Sequence, residues 1–243
     1  MKTGEPLSRI RVVLSNPAHP GNIGAAARAM KTMGITRLCL VRPQRFPDPE
    51  ASALAANARD VLEAARVYAD LDAALAGTSF SVALSARPRE LSHAPLDARA
   101  AAREIAEAAL RDEVALVFGN ETVGLSNSEV MRCSRIAHIT ADPEYAALNL
   151  AQAVQVMVYE VRVAALGTRE TSAKLEYATH EETEAFYASL EHSLRASGFL
   201  HPRHPRKLMD RLRRLFAKAR LERSEINILR GMLAAWEESE RKK

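Results

Sequence analysis

Cysteine is scarce. The 243 residues hold two, Cys39 and Cys133, far apart in the chain. Two distant cysteines make neither a disulfide framework nor a metal site, and Cys39 sits in a strand-like run as a small core residue. The N-terminus, MKTGEPLSRI, has no apolar signal core. Long hydrophobic runs are also missing. The most extended one, residues 148–166, is interrupted by Asn149, Gln152, Gln155, Glu160 and Arg162, so it does not span a membrane. A cytoplasmic location is the expectation. Neither GxxxxGK[ST] nor GxGxxG occurs, which excludes a standard P-loop or dinucleotide site. No internal repeat and no low-complexity tract is present.

What remains is an ordinary globular composition, 47% hydrophobic and 26% charged, in a length that suits one domain plus a smaller one. The net charge of +4 is mild, and its distribution matters more. Strand-like runs at 10–14, 37–41, 80–84, 114–118 and 136–139, with a short one near Val67, alternate with helical stretches. The helices are expected near 22–34, 51–65, 70–76, 96–111, 126–131 and 148–166. That alternation predicts an α/β domain with a mostly parallel sheet and helices on both faces. Residues 167–179 are polar and irregular, a linker. Residues 180–243 read as helices only, at 180–196, 202–218 and 224–240. Their expected stripes are Phe186, Leu190 and Leu194; Leu208, Leu212, Leu215 and Phe216; and Ile226, Leu229, Met232, Leu233 and Trp236.

The stretch around which the chain is organised is Asn16 to Gly34, NPAHPGNIGAAARAMKTMG. Prolines and Gly21 break the first strand into a tight loop, and a helix starts near Asn22, a good N-cap type. Gly24 and the alanines make that helix thin, so another backbone or a ligand can come close. Arg28 is the one long polar side chain in its first turns and is expected to be buried. In open parallel sheets ligands bind beyond the carboxyl ends of strands. Four such ends carry unusual loops: 16–22, 85–89, 119–125 and 140–149. Gly119 and Gly124 flank Glu121, and Ala146, Ala147 and Leu148 precede Asn149 at the start of a long helix, where unpaired amides can hold a polar ligand.

The segments PGNIGAAARAM, FGNETVGLSN and PEYAALNLAQAVQV, in this order and at these separations, resemble the three motifs of the SpoU class of SPOUT RNA ribose methyltransferases. With the tail HPRHPRKLMDRLRRLFAKA and EINILRGML, nearly the whole chain is similar to the TrmJ-type subfamily, which methylates the ribose 2′-hydroxyl of cytidine or uridine 32 in the tRNA anticodon loop. The resemblance implies a domain over residues 1–166 whose C-terminal part threads into a trefoil knot. It implies a homodimer packed through the knotted region and S-adenosylmethionine as methyl donor. The family's donor-binding positions fall on Leu84, Ser85, Ala86, Gly119, Ile139, Ala146, Ala147 and Leu148. Its catalytic positions fall on Arg28, Asn22, Glu121 and Asn149. The chain departs from the family at Ala147, where serine is frequent, and at Asn120, where proline or arginine is usual.

Methyl transfer to a ribose hydroxyl needs positioning and removal of a proton from a weak acid. Arginine is a poor base, because its guanidinium is effectively always charged. Two versions stay open: Arg28 partly deprotonated by a cationic, desolvated site, or Arg28 charged, clamping a phosphate and stabilising the forming alkoxide. Taken by position alone, Asn22 and Asn149 are as readily helix caps as substrate contacts, and Glu121 a loop carboxylate holding amides. RNA needs a second surface. Residues 203–220 carry eight Lys/Arg and one acidic residue. Arg206, Lys207, Arg211, Arg213, Arg214 and Lys218 share one helix's solvent side in this reading, as an RNA-binding stripe. The rivals are a ribosomal RNA 2′-O-methyltransferase and a non-catalytic RNA-binding protein on the same fold.

Overall fold

The computed structural model describes residues 6–86, 95–167, 176–200 and 207–241, with residues 239–241 described as backbone only. The chain divides into two compact units, Met1–Thr171 and Ser172–Lys243.

Among the described residues the first unit has seven strands: β1 (Ile10–Ser15), β2 (Arg37–Val41), β3 (Arg66–Tyr68), β4 (Phe80–Leu84), β5 (Leu96–Asp97), β6 (Val114–Phe118) and β7 (Arg135–His138). Their order is β3-β2-β1-β6-β4-β7-β5 and every neighbouring pair is parallel. The helices are α1 (Pro20–Thr32), α2 (Pro49–Ala55), α3 (Arg59–Glu63), α4 (Leu71–Leu75), α5 (Ala98–Ala108), α6 (Asn127–Met131) and α7 (Leu150–Gly167). Side chains alternate across the sheet with period two. Ile10, Val12 and Leu14 join one core with residues of α1, α2, α5 and α7. Val13, Val117 and Ile136 join a smaller core with Leu71, Ala74, Leu75 and Val130. Helices thus cover both faces, but one face has only the short α4 and α6.

Several boundaries differ from the expectation. Helix α1 begins at Pro20, with His19 as N-cap and no side-chain cap bond; proline suits the first helical position because its missing N–H has no helical partner to lose. Asn22 therefore lies inside the first turn and is free for other bonds. The expected 51–65 helix is broken by Ala56, whose φ is +49°, into α2 and α3. Leu96 and Asp97 are an edge strand paired to Ala137 and His138. Asp97, not Pro95, caps α5, accepting from Ala100 N at 2.8 Å. Cys39 and Cys133 are both buried. No helix among the described residues is long and apolar enough to cross a membrane.

Thin α1 has a packing cause. A Cβ at Gly24 would lie 2.0 Å from the Ala51 carbonyl oxygen, so the glycine lets α1 and α2 touch backbone to backbone.

The second unit holds α8 (His180–Ala196), α9 (Leu208–Ala219) and α10 (Arg223–Arg241). Thr179 and Glu182 form a reciprocal capping box at the start of α8. Phe186, Tyr187, Leu190, Ile226 and Leu233 are buried together, with Met209, Leu212, Phe216 and Leu229 packed against them. Phe186 meets Phe216 edge-on at 5.0 Å. Three expected stripe residues are instead exposed: Leu215 at 58%, Met232 at 50% and Trp236 at 57%. On α9 the inward residues are Met209, Leu212 and Phe216. Of the expected linker, residues 168–175 lie outside the described ones, while Ala178 is buried in this unit and bonds to the Leu221 carbonyl at 3.0 Å.

Candidate active site

The sheet order decides where the site lies. Strands β1, β6, β4 and β7 are successive neighbours, so the loops after them leave side by side at one edge of the sheet. These are the four loops picked out in the sequence.

Three of them enclose a cavity of about 190 Å³. Leu84, Ser85 and Ala86 come from the β4 end. Gly119 to Gly124 come from the β6 end. Ile139 and Ala146 to Leu148 come from the β7 end, and Phe118, Leu150 and Ala153 complete the wall. All eight expected donor-binding residues line it. Arg87, Pro88 and Arg89, the rest of the second loop, lie outside the described residues.

The 119–125 loop is folded tightly. Gly124 N bonds to the Asn120 carbonyl at 2.8 Å, and a Cβ at Gly119 would lie 2.2 Å from Gly124 and Leu125 backbone atoms. Only glycine fits there. Asn120 holds the loop from inside, its Oδ1 accepting from Thr122 N at 2.8 Å and Val123 N at 3.2 Å. Its Nδ2 donates to the Asn16 carbonyl at 2.8 Å, tying this loop to the first one.

Glu121 crosses to the first loop. Its carboxylate accepts from Ala18 N at 2.8 Å, His19 N at 3.2 Å and Asn22 Nδ2 at 2.8 Å. Burial works to raise its pKa, but the donors from Asn22, Ala18 and His19 outweigh it and hold the carboxyl below its ordinary value. Asn22 in turn accepts from Asn149 Nδ2 at 2.8 Å. Asn149 precedes α7 and accepts from Ala151 N at 2.9 Å. Three of the four expected catalytic side chains are thus joined in one hydrogen-bonded series beside the cavity.

Arg28 is not part of it. It is exposed on α1, about 9 Å along the helix from Asn22, and lines none of the cavity. The expectation that it is buried is corrected: the alanines and Ile23 take the inward positions of α1, and residue 28 falls on the outer face.

Glu129 was missed in the sequence. It accepts from the Ser15 hydroxyl, from Asn16 Nδ2 at 3.4 Å and from Ser126 N and Oγ, both at 2.7 Å. Burial opposes ionisation, yet the Ser15 and Ser126 donors win and its pKa is lowered. The Ser126-x-x-Glu129 spacing is a capping-box signature and was the available signal. Asn16, with φ of +52°, is a residue type that tolerates the left-handed region.

The basic stripe divides. Arg213 turns inward. It meets Glu184 through two bonds of 2.6 and 2.8 Å, and lies 4.3 Å from the Tyr187 ring centre. Burial pushes the Tyr187 hydroxyl up to about 12, with Arg213 pulling the other way. Arg213 is therefore a structural cation, corrected from the solvent side. Lys207, Arg211, Arg214 and Lys218 follow one another at four, three and four residues, the spacing of one helix face. Arg206 lies outside the described residues. Among the described residues there is no cluster of three or more His, Cys, Asp or Glu able to hold a metal ion.

Residues 9–159 match the model of the SpoU rRNA Methylase family, and residues 181–243 match that of the tRNA methyltransferase TrmJ, C-terminal domain. The tRNA (cytidine/uridine-2′-O-)-methyltransferase TrmJ of Escherichia coli strain K12 is 50% identical over 241 residues, covering 96% of each chain. Among solved structures, TrmJ from Z. mobilis ZM4 is similar with a TM-score of 0.82 and 32% identity, over 93% of this chain and 98% of that one. The SpoU methyltransferase AviRb from Streptomyces viridochromogenes, in complex with the cofactor AdoMet, has a TM-score of 0.52 and 20% identity, over 65% of this chain and 61% of that one. That last likeness is one of fold.

Proposed function

This chain belongs to the SpoU methylase family and carries the TrmJ C-terminal domain, and from that premise we infer that it is a tRNA methyltransferase acting on the ribose 2′-hydroxyl. The carrying observation is that the second and third motif segments line one cavity, with Asn22 of the first bonded in series with Glu121 and Asn149 at its edge.

The methyl donor in this reading is S-adenosylmethionine, held by Leu84, Ser85, Ala86, Gly119, Ile139, Ala146, Ala147 and Leu148. The cavity suits such a ligand. Leu84, Phe118, Ile139 and Leu148 give it apolar walls, and the glycine-bearing 119–124 loop brings backbone within reach of polar groups. Bound there, the donor supplies a methyl group already activated by its sulfonium. The chain's own task is to place the 2′ oxygen and stabilise charge on it. Arg28 acts as the charged clamp rather than the base. Its side chain is exposed among the described residues, and the base version requires a desolvated one.

The substrate site is cytidine or uridine 32 of the anticodon loop, as the subfamily resemblance implies. The chain works as a homodimer through the region of α7, whose Tyr159, Val163 and Leu166 are exposed apolar side chains, and the segment from Val114 to Leu166 forms the trefoil knot of the family. The 180–243 helices form a separate RNA-contacting domain. There Lys207, Arg211, Arg214 and Lys218 track phosphates. The enzyme works in the cytoplasm, where its tRNA is.

The test is methylation of tRNA transcripts carrying a 2′-deoxy nucleotide at position 32. Loss of methyl incorporation supports the assignment. Undiminished incorporation removes position 32, and incorporation into ribosomal RNA alone favours the rival substrate.

A further inference from the structure

The series Glu121–Asn22–Asn149 has a direction, and the direction is forced at both ends. An ionised carboxylate only accepts hydrogen bonds. Glu121 therefore compels Asn22 to present its amide nitrogen, at 2.8 Å. The Oδ1 of Asn22 then faces Asn149 and accepts its Nδ2 at 2.8 Å. Asn149 Oδ1 accepts from Ala151 N at 2.9 Å, and a backbone N–H only donates. Exchanging oxygen and nitrogen on either asparagine would set donor against donor or acceptor against acceptor. Both amide orientations follow from the chemistry of the end groups, where asparagine orientation is ordinarily ambiguous.

We infer that Glu121 is a positioning residue that fixes the polarity of Asn22 and Asn149, so that both offer N–H donors to the ribose hydroxyl oxygen. This rests on the reading of the site as a ribose 2′-O-methyltransferase. Each carboxamide nitrogen carries two hydrogens and spends one within the series. Each carboxamide oxygen already holds a donor. What is left is an N–H on each of two neighbouring side chains, at the edge of the cavity that receives the methyl donor. A pair of fixed donors stabilises negative charge developing on an oxygen. In the transfer the 2′ oxygen gains the methyl carbon and gives its proton to solvent water, and the electron pair of the methyl–sulfur bond stays on sulfur. Both asparagines begin and end in the same protonation state. Glu121 works through them, and it must be ionised to do so; its donors hold its carboxyl below the ordinary value.

The experiment is a double-mutant cycle in the full chain with tRNA transcript and S-adenosylmethionine, using Glu121→Gln, Asn149→Ala and the pair together. Each single change is expected to lower kcat about 100-fold, with KM for tRNA moved by no more than about twofold. The double variant should be no slower than the worse single one, because both break one series. The wild-type kcat should fall on acidification as Glu121 takes a proton, and Glu121→Gln should show no such acid limb. Asn149→Asp, which keeps the shape but replaces the donor with a charged acceptor, covers the case in which Glu121→Gln fails to fold; it should lose kcat to at least the same extent. Losses that multiply in the double variant, an acid limb shared by Glu121→Gln, or full kcat in Asn149→Asp each overturn the relay while leaving the methyltransferase reading intact. A wild-type chain that methylates no tRNA ribose overturns both.

Discussion

One carboxamide, that of Asn120, spans two loops: its Nδ2 donates to the Asn16 carbonyl at 2.8 Å while its Oδ1 accepts from Thr122 N at 2.8 Å. Asn120 thus closes the 119–125 loop and, with Glu121, fastens it to the 16–22 loop.

Asn120→Ala should loosen the wall of the cavity without unfolding the sheet. Its bonds hold the Thr122 and Val123 amides, both in cavity-lining residues. A weakening of S-adenosylmethionine binding of about tenfold, roughly one net charge-free hydrogen bond, is expected. Calorimetry measures it, and unchanged affinity would show that the loop closes without Asn120.

Arg28→Ala should cost turnover and little else. The side chain is exposed, so the melting temperature should stay put. A fall in kcat/KM of at least about 100-fold, with donor binding kept, is the expectation for a lost charge clamp. Retained turnover would take Arg28 out of the mechanism.

Glycine substitutions should separate two kinds of helix. Gly24→Ala puts a Cβ 2.0 Å from the Ala51 oxygen and should cost about 1–3 kcal/mol by overpacking. Gly231→Ala, in α10, meets nothing within 4 Å and should stabilise its helix by up to about 1 kcal/mol. Urea unfolding of each variant reads both signs.

The second unit offers a charge test with an internal control. Neutralising Lys207, Arg211, Arg214 and Lys218 together should weaken tRNA binding and flatten its dependence on salt. Arg213→Ala should instead destabilise the unit by about 1–3 kcal/mol, since it strands Glu184 and uncovers Tyr187. If the fourfold variant keeps the wild-type salt slope, that face is only solvated.

The pH dependence of stability follows from Glu121 and Glu129. Both have folded pKa values below the ordinary 4.5. The unfolded state therefore binds protons first as pH falls, so the stabilisation is present above the ordinary carboxyl pKa and is lost as pH falls through the lowered folded values. Urea titrations across that range should show a shallower loss in Glu129→Gln than in the wild type. An identical slope would mean that Glu129 titrates alike in both states.

Much of this was legible in the residues because the physics is local. Apolar runs of five gave the strands, and their alternation with helices gave the parallel sheet. Linear spacing could not reveal which loops meet. That depends on β6 lying between β1 and β4, which brings Glu121 to Asn22 across the chain. The cavity lining was named through a family resemblance, not through pattern. Burial of Arg28 was misjudged because a thin helix suggests enclosure on all sides, whereas Gly24 serves one contact, with α2. Arg213 was misplaced for a related reason: charge counting along α9 cannot see Glu184 on α8, and that carboxylate together with the Tyr187 ring turns the guanidinium inward. Leu215, Met232 and Trp236 were placed in stripes by spacing alone, and three short helices bury too little to cover every apolar position.

The position of β6 also bears on how the molecule is made. Strands β1 and β4 leave the ribosome before their common neighbour exists. Until Phe118 emerges, both present naked edges, the templates on which nascent chains stick to one another. A chain stalled ahead of Val114 thus keeps an open gap at the centre of its sheet, which β6 fills, while the other edge of β4 waits for β7.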